Sequence, residues 1–154
     1  MSQWMTKHFL AIAVLFSLPL LTQAALALSD QDVYIKVLEN YRKNRQFDLS
    51  ISVENLLKNH PNSVHADNAL YLKGLAALGS FNYELALKSF TKLEKLYPNG
   101  NKMPAALLAK GIAYRKLGDK KKARESFARV RKLYPESPEY RQAEFHTRLL
   151  EFKD

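Results

Sequence analysis

One spacing governs what this chain of 154 residues folds into. Pro61, Pro98 and Pro135 stand 37 residues apart, and the same offset relates Gly74 to Gly111, Ala86 to Ala123, Phe90 to Phe127, Leu96 to Leu133 and Tyr97 to Tyr134. So many coincidences at one offset mark an internal repeat, whose units are too small to bury a core alone and must stack on their neighbours. The second copy reads Leu70-x2-Lys73-Gly74, Ala86-x3-Phe90 and Leu96-Tyr97-Pro98. The third reads Leu107-x2-Lys110-Gly111-x2-Tyr114, Ala123-x3-Phe127 and Leu133-Tyr134-Pro135. The first keeps Pro61 and an apolar pattern of Val33, Val37, Val53 and Leu56, but lacks the Gly and the Phe.

Within each unit apolar residues recur at three and four, as in Leu107, Gly111 and Tyr114 or Ala123, Phe127 and Val130. That is helical periodicity. Gly118-Asp119 and Ser80-Phe81-Asn82 interrupt it, so each unit is predicted to be two antiparallel helices ended by its Pro. The expected helices are 31–43, 47–59, 64–79, 83–96, 102–117, 120–133 and 138–151. The fold class is thus an all-α solenoid of three helix pairs and a C-terminal capping helix. Units fall at about 30–66, 67–103 and 104–137, with the cap at 138–154. Pro138 opens the cap, and Ala143, Leu149, Leu150 and Phe152 are its expected contacts with the third unit. Gly74 and Gly111 inside their helices cost about 1 kcal/mol each against Ala. Their retention implies close helix approach, with Ala86 and Ala123 as the small partners and Phe90 and Phe127 filling the space between pairs.

The pattern resembles the tetratricopeptide repeat, W-x2-L-G-x2-Y…A-x3-F…P on a period of about 34 residues. The resemblance spans residues 30–135. Leu70 and Leu107 replace the Trp, Lys73 and Lys110 replace the Leu before the Gly, and Ala77 replaces the Tyr of the second copy. The longer period comes from residues after the Pro, in PNSVHAD and PNGNKMP. Long-period repeats ending in leucine-tyrosine-proline are similar to those of bacterial cell-envelope proteins. Among these are the Tol-Pal-associated periplasmic coordinator and the lipoprotein subunit of the outer-membrane β-barrel assembly machinery. This chain lacks the coiled coil of the first and the lipobox Cys of the second. The resemblance implies a non-catalytic scaffold that binds a protein or peptide on the concave face lined by the first helix of each repeat.

The N-terminus reads as an export signal. Phe9–Leu21 is an apolar run of 13 residues preceded by Lys7. It is short of the ~20 residues that span a bilayer. Thr22-Gln23-Ala24 and Ala25-Leu26-Ala27 follow it as small-x-small cleavage patterns, which favours a signal peptide of residues 1–24, cleaved as late as 27, over an uncleaved anchor. The expected location is the periplasm or the exterior, away from chromosomal DNA and nucleotide cofactors.

Chemistry-bearing motifs are sparse. With no Cys in the chain, a disulfide framework, a Cys-ligated zinc site and a thiol nucleophile are excluded. No phosphate-binding glycine loop, zinc-protease helix or nucleophile elbow occurs. His60 and His65 flank Pro61 without helical i,i+4 spacing and read as solvated loop residues. No enzyme activity, cofactor or metal is expected.

Two surfaces remain. Spacings of three and four place Tyr34, Leu38, Tyr41 and Arg42 on one side of the first unit's first helix, Tyr71, Leu75 and Leu78 on that of the second, and Leu108, Ile112 and Arg115 on that of the third. These form the candidate protein-binding groove, inter-helix core being the competing role for many of them. Tyr34, Tyr41, Arg42 and Arg115 are the stronger surface candidates, each a polar tip on an apolar body. The second surface is basic. Residues 99–154 hold 14 basic and 7 acidic groups, whereas residues 28–98 hold 9 and 8. Lys120, Lys121, Lys122, Arg124, Arg129, Arg131 and Lys132 ring the outer side of one helix, either as a solvated face or as a dock for an anionic envelope surface, lipid headgroup or lipopolysaccharide. Export and the lack of interleaved aromatic and basic strands argue against nucleic acid. Intact-mass measurement of the exported protein is expected to show an N-terminus near Ala25 or Leu28; a full-length mass in the membrane fraction would contradict the signal peptide.

Overall fold

The computed structural model describes residues 28–152, so the export signal lies outside the described residues. Seven helices follow one another: α1 (Asp30–Arg42), α2 (Gln46–Asn59), α3 (Ala66–Gly79), α4 (Tyr83–Leu96), α5 (Met103–Lys116), α6 (Lys120–Leu133) and α7 (Glu139–Glu151). Every expected helix is present, with ends moved by two residues or fewer. Pro138 is the N-cap of α7 and not its first residue. Among the described residues there are no strands. No described helix is long and apolar enough to cross a membrane.

The 37-residue offset extends below the visible motif into backbone geometry. Asn44, Phe81 and Gly118 stand one period apart, and all three take positive φ, at 53°, 60° and 82°. The turn inside each pair demands a left-handed residue. Gly meets that demand freely and Asn at little cost, whereas Phe81 carries strain of order 1 kcal/mol. Asn82 and Asp119, one residue later, cap α4 and α6 by accepting the backbone N–H of Leu85 and Lys122 at 3.1 and 3.0 Å. Ser52, Ser89 and Ser126, again one period apart, are buried and donate to the carbonyls of Asp48, Leu85 and Lys122 at 2.8, 2.9 and 2.9 Å. The first copy is therefore a full structural repeat despite its eroded motif.

Inside each pair the two helices lock through one contact. A Cβ on Gly74 would fall within 3.0 Å of three ring carbons of Phe90, and a Cβ on Gly111 within 3.0 Å of three of Phe127. The rings lie directly on the glycines of their own unit. The rings are expected between pairs, and Phe127 does reach the next helix, stacking on His146 of α7 at 5.4 Å, while each ring also lies on the glycine of its own unit. Both rings are buried, at 1% and 0% exposure. In the first copy the equivalent positions are Val37 and Val53, both fully buried. There two middle-sized side chains share the volume that Gly and Phe divide unequally elsewhere, a volume-conserving exchange that a core tolerates well.

Between units the first helices pack on one another, α1 on α3, α3 on α5 and α5 on α7, while no two of the second helices pack together. The first helices are thus closer together, so the array curves with them on its inner, concave side and α2, α4 and α6 on its outer side. Long side chains bridge the outer gap. Glu54 on α2 accepts Lys73 of α3 at 3.0 Å and Lys92 of α4 at 2.8 Å. Glu94 on α4 accepts Lys110 of α5 at 2.9 Å and pairs with Arg129 of α6. Lys73/Lys110 and Lys92/Arg129 are again one period apart. Burial opposes ionisation of both carboxylates, but their basic partners outweigh it and hold them below the usual glutamate range.

α7 packs against α5 and α6 as a further first helix would. Ala143 and Leu150 are buried as expected and Leu149 is half-buried, but Phe152 is 83% exposed and does not serve as a cap contact. The face that receives the second helix in α5 carries Leu107, Gly111 and Tyr114; one period on, α7 offers Glu144, Arg148 and Glu151. Glu144 and Arg148 pair at 2.8 Å. That polar face covers the end of the apolar array, as a solenoid requires.

Gly111→Ala is expected to destabilise by about 1–3 kcal/mol, because a methyl group must displace the Phe127 ring from a filled core. Gly79→Ala, where an added Cβ meets nothing within 4 Å, should leave stability unchanged or raise it by about 0.5 kcal/mol. Thermal melts of the two variants check the difference.

Candidate protein-binding face

The first helices carry their inner residues in rows that the 37-residue register sets: Tyr34/Tyr71/Leu108, Leu38/Leu75/Ile112 and Tyr41/Leu78/Arg115. Leu38, Tyr41, Tyr71, Leu75, Leu78, Ile112 and Arg115 are half-buried, apolar bodies packed on the core with part of each side chain open, and Arg42 is exposed beside them. Burial raises the Tyr71 phenol above its ordinary range, and the nearby Glu139 and Tyr41 raise it further.

Two groove candidates are not on that wall. Tyr34 is 9% exposed: its ring stacks on His65 with centroids 4.2 Å apart and its hydroxyl accepts the Asn68 amide. The polar tip expected at the surface is consumed in holding α1 to α3. Leu108, at 6% exposure, belongs to the core. His65, expected to be solvated, is half-buried and bonded through Nε2 to Gln31 at 2.8 Å.

The seven basic candidates are all exposed on α6, and two of them are held in intramolecular pairs. Lys122 is bound to Asp119 at 2.8 Å and lies 5.5 Å from the centre of the Tyr114 ring. Arg129 is tied to Glu94. Arg124, Arg131 and Lys132 have no ion-pair partner among the described residues.

A cavity of about 500 Å³ opens between α1 and α2, lined by Leu28, Val33, Lys36, Ser52, Asn55, Asn59 and His60. Its Ser52 hydroxyl donates to the Asp48 carbonyl and accepts the Asn40 amide at 2.9 Å. Among the described residues no cluster of three or more His, Asp or Glu is placed to hold a metal.

Residues 68–100 and 105–137 match the family model of the tetratricopeptide repeat. These two segments are tetratricopeptide repeats. The matched segments are the second and third units, where the Gly–Phe lock is intact; the first, with its Val pair, lies outside them. No curated protein matches the chain. Tetratricopeptide repeats generally mediate protein–protein contacts, and the fold is typically a non-catalytic scaffold.

One buried group beside the wall is sensitive to protons. His146 on α7 stacks on Phe127 at 5.4 Å, and its Nδ1 is buried without a hydrogen-bond partner. Burial pushes its pKa down, and the Arg115 guanidinium pushes it further. The folded state therefore holds the neutral ring, and its contribution to stability is complete above the unfolded value near 6.5 and lost as pH falls below it. Melting temperature is expected to drop as pH is lowered from about 7 to about 5.5, a window above that in which Glu54 and Glu94 titrate. His146→Phe should flatten that slope; an unchanged slope would remove His146 as its source.

Proposed function

We propose that this protein is an exported, non-catalytic adaptor of the bacterial cell envelope that holds a peptide or protein partner on the concave wall of its repeats. The reading is supported by the 37-residue register, which sets Tyr41, Tyr71, Leu75, Leu78, Ile112 and Arg115 in rows on three first helices that pack on one another, each side chain half-buried. Tyr and Arg dominate binding hot spots because they combine large contact area with directional hydrogen bonding. The N-terminal apolar run and the leucine-tyrosine-proline repeat ends support the envelope setting. Docking of α6 on an anionic envelope surface is the competing reading. It is weakened because Lys122 and Arg129 already serve intramolecular pairs.

Crosslinking in the envelope fraction followed by titration of the captured partner tests the proposal. Tyr41→Ala and Arg115→Ala should each cost more than about 1 kcal/mol of affinity with helicity unchanged. Removing the charges of Lys120, Lys121 and Lys122 should mainly alter association rate and salt dependence. Loss of binding in the lysine variant alone would overturn the groove.

A further inference from the structure

Among the described residues Asp67 is the one charged side chain that is buried, at 7% exposure, and it has no ion-pair partner there. Its carboxylate accepts two backbone N–H groups, Asn68 on Oδ1 at 2.6 Å and Lys102 on Oδ2 at 3.4 Å. The second is longer than an ordinary N–H to oxygen bond, so Oδ2 is short of donors. The 37-residue register shows what is missing. Asp30, one period earlier, accepts the Ser63 hydroxyl at 2.9 Å. Beside Asp67 the position equivalent to Ser63 is Gly100, which has no hydroxyl. A Cβ on Gly100 would stand 2.7 Å from Asp67 Oδ2, so the carboxylate lies directly over the glycine. One period later Pro104 stands at the acid's position, and the Ser137 hydroxyl is buried without a partner.

Asp67 lines a cleft of about 420 Å³ between the loop before α3 and the loop after α4, together with Val64, Leu96, Tyr97, Asn99 and Asn101. Val64 and Leu96 are exposed. Burial raises the Tyr97 phenol above its ordinary range, and the Asp67 charge raises it further. Lys102 gives Asp67 its backbone N–H and no ion pair.

We propose that this cleft holds the cationic end of a lysine or arginine side chain of a partner protein, its charge on Asp67 beside the Tyr97 ring and its stem on Val64 and Leu96. A buried carboxylate without a counter-charge calls for a cation. An aromatic ring next to it attracts an organic cation, and exposed apolar flanks suit the hydrocarbon stem of a long basic side chain. A calcium ion takes about six to eight oxygens, usually with several carboxylates, and the cleft is lined by one carboxylate. None of these residues belongs to the rows of the concave face, so the inference goes beyond that reading and does not rest on it.

Blocked single amino acids serve as probes: the N-acetyl methylamides of lysine and arginine, and those of norleucine and citrulline as their uncharged counterparts. Each is titrated into the isotope-labelled full chain, with the backbone amide resonances of Gly100, Asn101 and Lys102 as the readout. The charged probes should bind at least about tenfold tighter than the neutral ones, the scale of a hydrogen bond to a charged group. Asp67→Asn should abolish that difference. Gly100→Ser, which presents to Asp67 the hydroxyl that Ser63 presents to Asp30, should weaken the charged probes by about tenfold; the nearest atom it displaces is the tip of the Asp67 side chain, so melting should be retained. Equal binding of charged and neutral probes, binding of none, or charged binding that survives both substitutions overturns the proposal. Shifts of the same amides with calcium chloride and not with the charged probes assign the cleft to a metal ion instead. Charged binding lost with Tyr41→Ala and not with Asp67→Asn places the cation on the concave face and overturns the cleft. Selection of the charged probes by the cleft, with Tyr41→Ala and Arg115→Ala without effect on the captured partner, removes only the groove reading.

Discussion

The contact of a phenyl ring with a helical glycine sets the distance between the two helices of a unit, and the rest of the array inherits that distance. Phe90 on Gly74 and Phe127 on Gly111 leave no room for a methyl group. The spacing fixes where the second helix lies, and so where Glu54, Glu94 and their lysines meet across units. It also fixes the curvature that gathers the first helices on one side. The first unit reaches the same geometry with Val37 and Val53, which shows that the requirement is total volume at the contact and not the identity of either residue.

Lysine before the glycine is the clearest departure from the family pattern, and the junctions account for it. Lys73 and Lys110 have side chains only 13% exposed, so their charges need a partner. Each finds one on the preceding unit's outer helix, turning a position that is apolar in the family pattern into a directional tie. Lys92 and Arg129 then reach the same carboxylates from the outer layer, and the two helix layers of one unit are pinned together to its predecessor.

The helices and their order were legible because apolar periodicity and the 37-residue offset are local in sequence. The Gly–Phe lock was legible in its members but not in its pairing, since spacing alone does not tell that a ring such as Phe127 lies on Gly111 of its own unit as well as on His146 of the next helix. The candidate wall was read from helical spacing alone, which orders residues around one helix and says nothing about what the next helix covers. Tyr34 and Leu108 lie on the expected side yet are buried, because α3 and α7 close over them. The ion pairs between units join residues 16 to 38 apart, distances at which no sequence rule connects one charge to another.

The two junctions are held by different kinds of tie. The first has neutral ones beside its ion pairs: the Tyr34–His65 stack, the Asn68–Tyr34 and Gln46–Ser80 hydrogen bonds, and the Tyr97 hydroxyl on the Pro61 carbonyl at 3.2 Å. Beyond apolar packing, the second relies chiefly on Glu94. In a nearest-neighbour picture of unfolding, salt screens the ion pairs of both junctions, and the first keeps more neutral ties when they are screened. Salt thus acts on the length over which the array melts as a single unit: at low ionic strength the helices lose structure together, and at high ionic strength the third unit and α7 separate from the first two as their own cooperative block.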